Sequence, residues 1–166
     1  MHPDIVGCYF PYSNWQSEVV DLSTALANTA VKLYSFELKL ELRNSNLRES
    51  FFQAVSNSSW ANEGYLVASE IDKSTDFMEE LKRLSTSFGI GVIQIDIEDP
   101  DSSQILFSAK SRDLVDWETV NKLSRMNSDF REFLKRVRID ISSKEVRKEL
   151  YDKFLEREEL LKIVRK

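Results

Sequence analysis

The chain has one cysteine, Cys8, and one histidine, His2, in 166 residues. A single thiol has no intrachain partner, and one Cys with one His cannot build a Cys/His zinc centre. Glycine is equally sparse. With four glycines in the chain there is no Gly-rich loop to cradle a phosphate, and Gly89-Ile90-Gly91 reads as a helix stop. No run approaches the roughly 20 apolar residues of a membrane span. Met1-His2-Pro3-Asp4 lacks the basic and apolar regions of a signal peptide, so a reducing, cytoplasmic setting is expected. Basic charge is also short: 23 Lys and Arg stand against 28 Asp and Glu, a net charge of −5. That argues against gripping nucleic acid by bulk electrostatics. It does not exclude a nuclease, because metal-binding carboxylates are themselves negative and substrate affinity can reside in a neighbouring domain or subunit.

An apolar fraction of 42% with 31% charged residues is ordinary for a globular protein, and the length fits one domain with a substantial core. Asp4 to Phe10 reads as a short strand and Tyr9 to Trp15 as an aromatic-rich turn. Gln16 to Ala30 fits two periods, and a helix is expected there only from Ser23 onward. Lys32 to Leu42 is a strand. Asn44, Ser45 and Asn46 form a break with capping chemistry before a helix over Leu47 to Ser59. Tyr65 to Glu70 is a strand, and a helix opened by Asp76 and Glu79 stops at Gly89. Gly91 to Ile97 and Gln104 to Lys110 read as a strand pair around an acidic turn at Asp99 to Ser103. From Asp116 the pattern is helical, with breaks near Asn127 and at Ser142, where Ser142 and Glu145 have capping-box spacing.

This order predicts an α/β fold: a mixed central sheet flanked by helices, with a parallel crossover from Leu33 through the Leu47 helix to Tyr65 and a helical C-terminal extension. Residues 1–140 form the α/β domain. Residues 141–166 form an amphipathic helix, with Val146, Leu150, Phe154 and Leu161 on one side, whose functional alternative is a dimer contact.

The strand Lys32 to Leu42 carries the chemistry. Alternation places Leu33, Ser35, Glu37, Lys39 and Glu41 on one face and Tyr34, Phe36, Leu38, Leu40 and Leu42 on the other. A carboxylate and an ammonium side by side, joined by a second carboxylate from another segment, could hold a divalent cation and a water beside a phosphodiester. From spacing alone, the competing reading is an amphipathic strand whose Glu37 and Lys39 face solvent. Gln53 lies on the following helix with Asn57 and Trp60 at i+4 and i+7. Trp60 reads as core, and the acidic cluster Asp96, Glu98, Asp99 and Asp101 as a strand end and exposed turn.

Taken together, His2-Pro3-Asp4-Ile5-Val6-Gly7, Tyr34-Ser35-Phe36-Glu37-Leu38-Lys39 and Gln53 resemble the PD-(D/E)xK restriction-endonuclease superfamily. The phrase from Gln53 through Trp60-Ala61-Asn62-Glu63-Gly64 to Val67, with Phe88-Gly89-Ile90-Gly91-Val92, is similar to a bacterial group in which such a domain follows a HARE-type winged-helix domain, often near restriction-modification genes. The resemblance implies a restriction-endonuclease-like fold. It implies that Asp4 and Glu37 ligate Mg²⁺, that Lys39 orients the attacking water and offsets phosphate charge, and that Gln53 helps position the site or contacts nucleic acid. It further implies a DNA substrate, a winged-helix domain missing from this chain, and loss of the helix that usually precedes the Pro-Asp strand. The expected function is a Mg²⁺-dependent endonuclease-like domain acting on DNA in restriction or defence. The alternatives are a catalytically inactive nuclease-fold module that binds DNA or a protein, and an oligomerisation domain.

Overall fold

The computed structural model describes residues 2–26 and 31–152. Five strands, β1 (Ile5–Tyr9), β2 (Lys32–Leu42), β3 (Glu63–Ile71), β4 (Gly91–Gln94) and β5 (Gln104–Phe107), form one sheet in the order β1-β2-β3-β4-β5. The central pairs β2/β3 and β3/β4 are parallel, and the outer pairs β1/β2 and β4/β5 antiparallel. Helices α2 (Leu47–Ser58) and α3 (Thr75–Phe88) link the parallel strands, after α1 (Ser17–Ala25) in the connection from β1 to β2. Helices α4 (Trp117–Met126) and α5 (Ser128–Ser143) complete the chain as described, so the α/β mixed sheet with a helical C-terminal part is observed. Three helix boundaries have a clear local cause. The Asp116 side chain accepts from the backbone N–H groups of Glu118 and Thr119 to start α4, Asn127 does the same for α5, and Gly89 ends α3 at a left-handed φ of 71°.

Strand β3 starts at Glu63 rather than Tyr65 and runs to Ile71, and the expected boundaries shift further at four other places. Helix α1 begins at Ser17, not Ser23: the Gln16 carbonyl accepts from both Val19 and Val20 N–H, which starts the helix a turn and a half earlier. Strand β4 ends at Gln94, short of Ile97, because the Asp96 side chain takes the N–H groups of Glu98 and Asp99 and closes a turn in place of the ladder. Strand β5 ends at Phe107 rather than Lys110, beyond a register shift at Val92/Ile93. The Ser142–Glu145 capping box does not form. The Ser142 hydroxyl donates back to the Arg138 carbonyl, α5 runs through Ser143, and Lys144 ends it at φ 57° before a 3₁₀ turn at Lys148–Leu150. The remainder of the helix expected over 141–166, from residue 153, lies outside the described residues.

Two buried clusters cover one face of the sheet. Leu66, Ala68 and Val92 from the strands meet Phe51 of α2 and Phe77 and Leu81 of α3. Leu33 and Phe10 meet Val120, Phe130 and Val137 of α4 and α5, with Trp60 fully buried between them, its ring 5.1 Å from Phe130 in an edge-on contact. The opposite face carries a stacked Tyr34, Phe36 and Tyr65 ladder among exposed Ile5, Tyr9, Leu38, Leu40 and Ile105.

A buried carboxylate ties the segment after α5 to the neighbourhood of β1. Asp140 accepts from the Tyr151 hydroxyl at 2.9 Å and the Arg147 N–H at 3.3 Å, and the Tyr151 ring stands edge-on to Phe10. Burial pushes the neighbouring Cys8 thiol up from 9.0 to about 11, against a lowering hydrogen bond to Tyr151 and with a further push from Asp140. A raised thiol pKa means that the unfolded chain loses this proton first. Stability from Cys8 is therefore constant below pH 9 and declines as pH rises from 9 towards 11. Tyr12, Tyr34, Tyr65 and Tyr151, also raised by burial from ordinary values of 10.0, share the upper part of this interval, so Cys8 is read as a difference between proteins. Urea midpoints should fall more steeply from pH 8 to 10 in the wild type than in Cys8→Ala; parallel curves would refute the assignment.

Candidate functional site

The site grows from the alternation of β2. Its odd-numbered side chains point beneath the helices rather than into water: Leu33, Ser35 and Glu37 are buried, Lys39 is half-buried, and only Glu41 reaches solvent. The solvent-facing alternative for Glu37 is thereby corrected. The even-numbered residues Leu38 and Leu40, apolar as they are, take the exposed side. Helix α2 explains the inversion. It packs across β2 and β3 and supplies polar partners where β2 carries polar groups, so the apolar seal is made by Leu66 and Ala68 of β3, which share rungs with Glu37 and Lys39.

Glu37 is 2% exposed, and removing a carboxylate from water costs several kcal/mol unless both oxygens are satisfied. Both are. Lys39 Nζ donates to Oε1 at 2.7 Å and Asn57 Nδ2 donates to Oε2 at 2.7 Å. Asn57 sits in the last turn of α2, where a helix leaves carbonyls unpaired, and its own carbonyl is taken by Ser35 Oγ at 3.1 Å and Trp60 Nε1 at 2.8 Å. The segment after α2 is fastened in turn. Asn62 exchanges two bonds with the Leu33 backbone and donates to the Arg112 carbonyl, while the Arg112 guanidinium reaches the carbonyls of Ser58 and Ser59. Gly64 allows this proximity: a Cβ there would lie 2.3 Å from the Cβ and Oγ of Ser58.

Asp4 approaches from the other side. The β1/β2 register pairs Ile5 with Phe36, so Asp4 continues the ladder opposite Glu37, and its Oδ2 accepts from the Leu38 N–H at 2.8 Å. The carboxylate is exposed and extends a ladder that β1 no longer supplies. Of the four expected site residues, Glu37 and Lys39 are in direct contact and Asp4 stands across the strand pair. Gln53 is half-buried one helical turn before Asn57 and, among the described residues, makes no hydrogen bond to either Glu37 or Lys39. The helix therefore reaches Glu37 through Asn57, one turn beyond the Gln53 to which the resemblance assigns the positioning role. The available signal was the position of Asn57 between Ala54 and Trp60 on the buried face. His2 is exposed, its Nδ1 3.3 Å from the Pro3 carbonyl oxygen.

The donor set contains two carboxylates. No group of three or more His, Cys, Asp or Glu side chains able to hold a metal exists among the described residues, the acidic turn around Asp96 included. Two carboxylates fit Mg²⁺, which is commonly bound through one or two and keeps several waters. An open cleft of about 600 Å³ lies at the carboxyl ends of β2, β3 and β4, where Leu40, Ser69 and Gln94 line it and Asp4, Glu37, Lys39 and Gln53 do not. Ligands of open α/β sheets favour such ends. Its lining includes Glu70, Asp96 and Glu98 against the single cation Lys73, which donates to Gln94. That lining repels a phosphate backbone unless a cation or a basic partner offsets it.

No protein-family model matches the chain, and neither curated proteins nor solved structures supply a match.

The buried pair has an asymmetric stability signature. Lys39→Met leaves a buried carboxylate with one partner, whereas Glu37→Gln leaves a half-buried ammonium that can turn to solvent and keeps the Asn57 contact. Urea unfolding should show about 2–4 kcal/mol lost for Lys39→Met and about 1–2 for Glu37→Gln. The reverse order would refute Lys39 as the partner that stabilises Glu37. Gly64→Ala should cost about 1–3 kcal/mol through overpacking against Ser58 and should displace the side-chain amide resonances of Asn57; an unperturbed spectrum with unchanged stability would refute the close approach.

Proposed function

We propose that the chain is a Mg²⁺-dependent endonuclease-like domain that hydrolyses DNA phosphodiesters in a restriction or defence setting. The observation that carries this reading is the buried Glu37–Lys39 pair on β2 with Asp4 across the adjoining strand. A hydrogen-bonded carboxylate and ammonium held rigid beneath a helix, beside a second carboxylate, suit a cation and a phosphate together. The resemblance of Pro3-Asp4, Glu37-x-Lys39 and Gln53 to the PD-(D/E)xK pattern supports the same roles.

Asp4 and Glu37 would hold the cation. When bound, it supplies Lewis-acid polarisation of the phosphate and a water acidic enough to attack near neutral pH. The chain's own groups do the rest. Asp4 anchors one oxygen on the Leu38 N–H and presents the other, which fixes the carboxylate's direction. Lys39 neutralises Glu37 in the resting state, and its exposed portion can turn towards an incoming phosphate oxygen. Substrate affinity is assigned to a winged-helix partner, since the chain's net charge of −5 offers no bulk attraction to DNA.

A second reading, a catalytically inactive nuclease-fold module that binds DNA or a protein, draws on one observation: both Glu37 oxygens are already bonded and the residue is 2% exposed. Plasmid nicking and cleavage with Mg²⁺ or Mn²⁺, on methylated and unmethylated DNA and with a winged-helix domain supplied, separates the two. Asp4→Asn and Glu37→Gln should each lower the rate by about 10²-fold or more, and Lys39→Ala should lower kcat more than cation affinity. A wild-type protein inert under all these conditions makes the module reading the better one.

A further inference from the structure

Resting on the metal-site reading above, we propose that Asn57 is a positioning residue of the cation site, with its Nδ2 aiming the Glu37 carboxylate and its Oδ1 accepting a hydrogen from water carried by a hydrated divalent cation. Asn57 is 3% exposed, and its Oδ1 is buried without a hydrogen-bond partner. The amide orientation follows from its neighbour. An oxygen turned towards Glu37 Oε2 at 2.7 Å would oppose two acceptors, so the nitrogen takes that place and Oδ1 faces away.

A buried acceptor left empty costs about 1–3 kcal/mol. The carbonyl and the other end of the side-chain amide are engaged: the carbonyl holds Ser35 and Trp60, and Nδ2 holds Glu37. Those contacts clamp the backbone of the last turn between β2 and the core and deny the amide freedom to seek another donor. Oδ1 calls for a hydrogen-bond donor. A phosphate oxygen, being an acceptor, does not serve. Lys39 donates to Glu37. A Mg²⁺ ion bound through one or two carboxylates keeps waters that donate outward, and the outer partners of metal ligands typically govern affinity by 10- to 100-fold, about the scale expected here. Asn57 thus touches one ligand directly and the hydration shell of the same cation with its other end.

The test uses the full chain. Mg²⁺ is titrated into isotope-labelled wild-type protein while the Asn57 side-chain amide resonances are followed, and Mn²⁺ affinity is measured by calorimetry for wild type, Asn57→Leu and Glu37→Gln. The expected result is a saturable shift of the Asn57 amide pair, Mn²⁺ affinity reduced about tenfold in Asn57→Leu, and binding abolished in Glu37→Gln. Should Asn57→Leu not fold, the wild-type resonances decide alone. A cation that binds and requires Glu37, yet leaves the Asn57 amide unmoved or binds Asn57→Leu as tightly as wild type, overturns this role while leaving the metal site standing. No saturable binding of either cation to wild type overturns both.

Discussion

A carboxylate sealed inside an α/β sandwich dictates what surrounds it. Glu37 occupies a position that alternation assigns to the helix-covered face of β2, and an isolated charge there would outweigh much of the net stability of a domain this size. The neighbourhood is organised to prevent that outcome. Lys39 supplies the opposite charge from the same strand, Asn57 supplies a donor from α2, and Ser35, Trp60, Asn62 and Arg112 hold the turn carrying Asn57 at the required height. The link from sequence to site runs through this turn, because the same residues that close α2 also supply the second contact to Glu37.

Much of the architecture is legible in the sequence because each β-strand and helix carries its own period. The Lys32–Leu42 strand and the β4/β5 hairpin follow from alternation, the Leu47 helix from its helical period and the Gly89 stop from a left-handed glycine, whereas the expected cap at Asn46 is spent on Arg43 N–H and the Glu41 carbonyl. What periodicity could not supply is which side of β2 faces the helices. The more apolar side, with Tyr34, Phe36, Leu38 and Leu40, is the conventional choice for the core, and the structure puts the polar side there instead. Tertiary partners override pattern at that point: buried polar groups are tolerated where neighbouring elements provide complementary donors and acceptors. For the same reason the Glu37–Lys39 contact was legible from spacing along one strand, while the part of Asn57 depended on how α2 lies over it.

The resting arrangement also separates two demands that often conflict. Stability favours a Glu37 fully engaged with Lys39 and Asn57, whereas cation binding needs its lone pairs. A carboxylate has about four acceptor sites on its two oxygens, so engagement with two donors leaves capacity without leaving a bare charge. The half-exposed location of Lys39 lets that donor be exchanged for solvent or substrate while the buried side of the carboxylate keeps its support.

The contact between Gly64 and Ser58 has a consequence for how the chain can change over time. With 2.3 Å between Ser58 Cβ and the place where a Cβ on residue 64 would stand, the two positions share room for one side chain. Even alanine at 64 leaves no space for alanine at 58. Related chains that keep this helix-on-sheet approach must therefore alternate: small at one position wherever the other is larger, glycine at one of them always. The pair forms a steric either-or, set by backbone proximity and independent of any chemistry at Glu37.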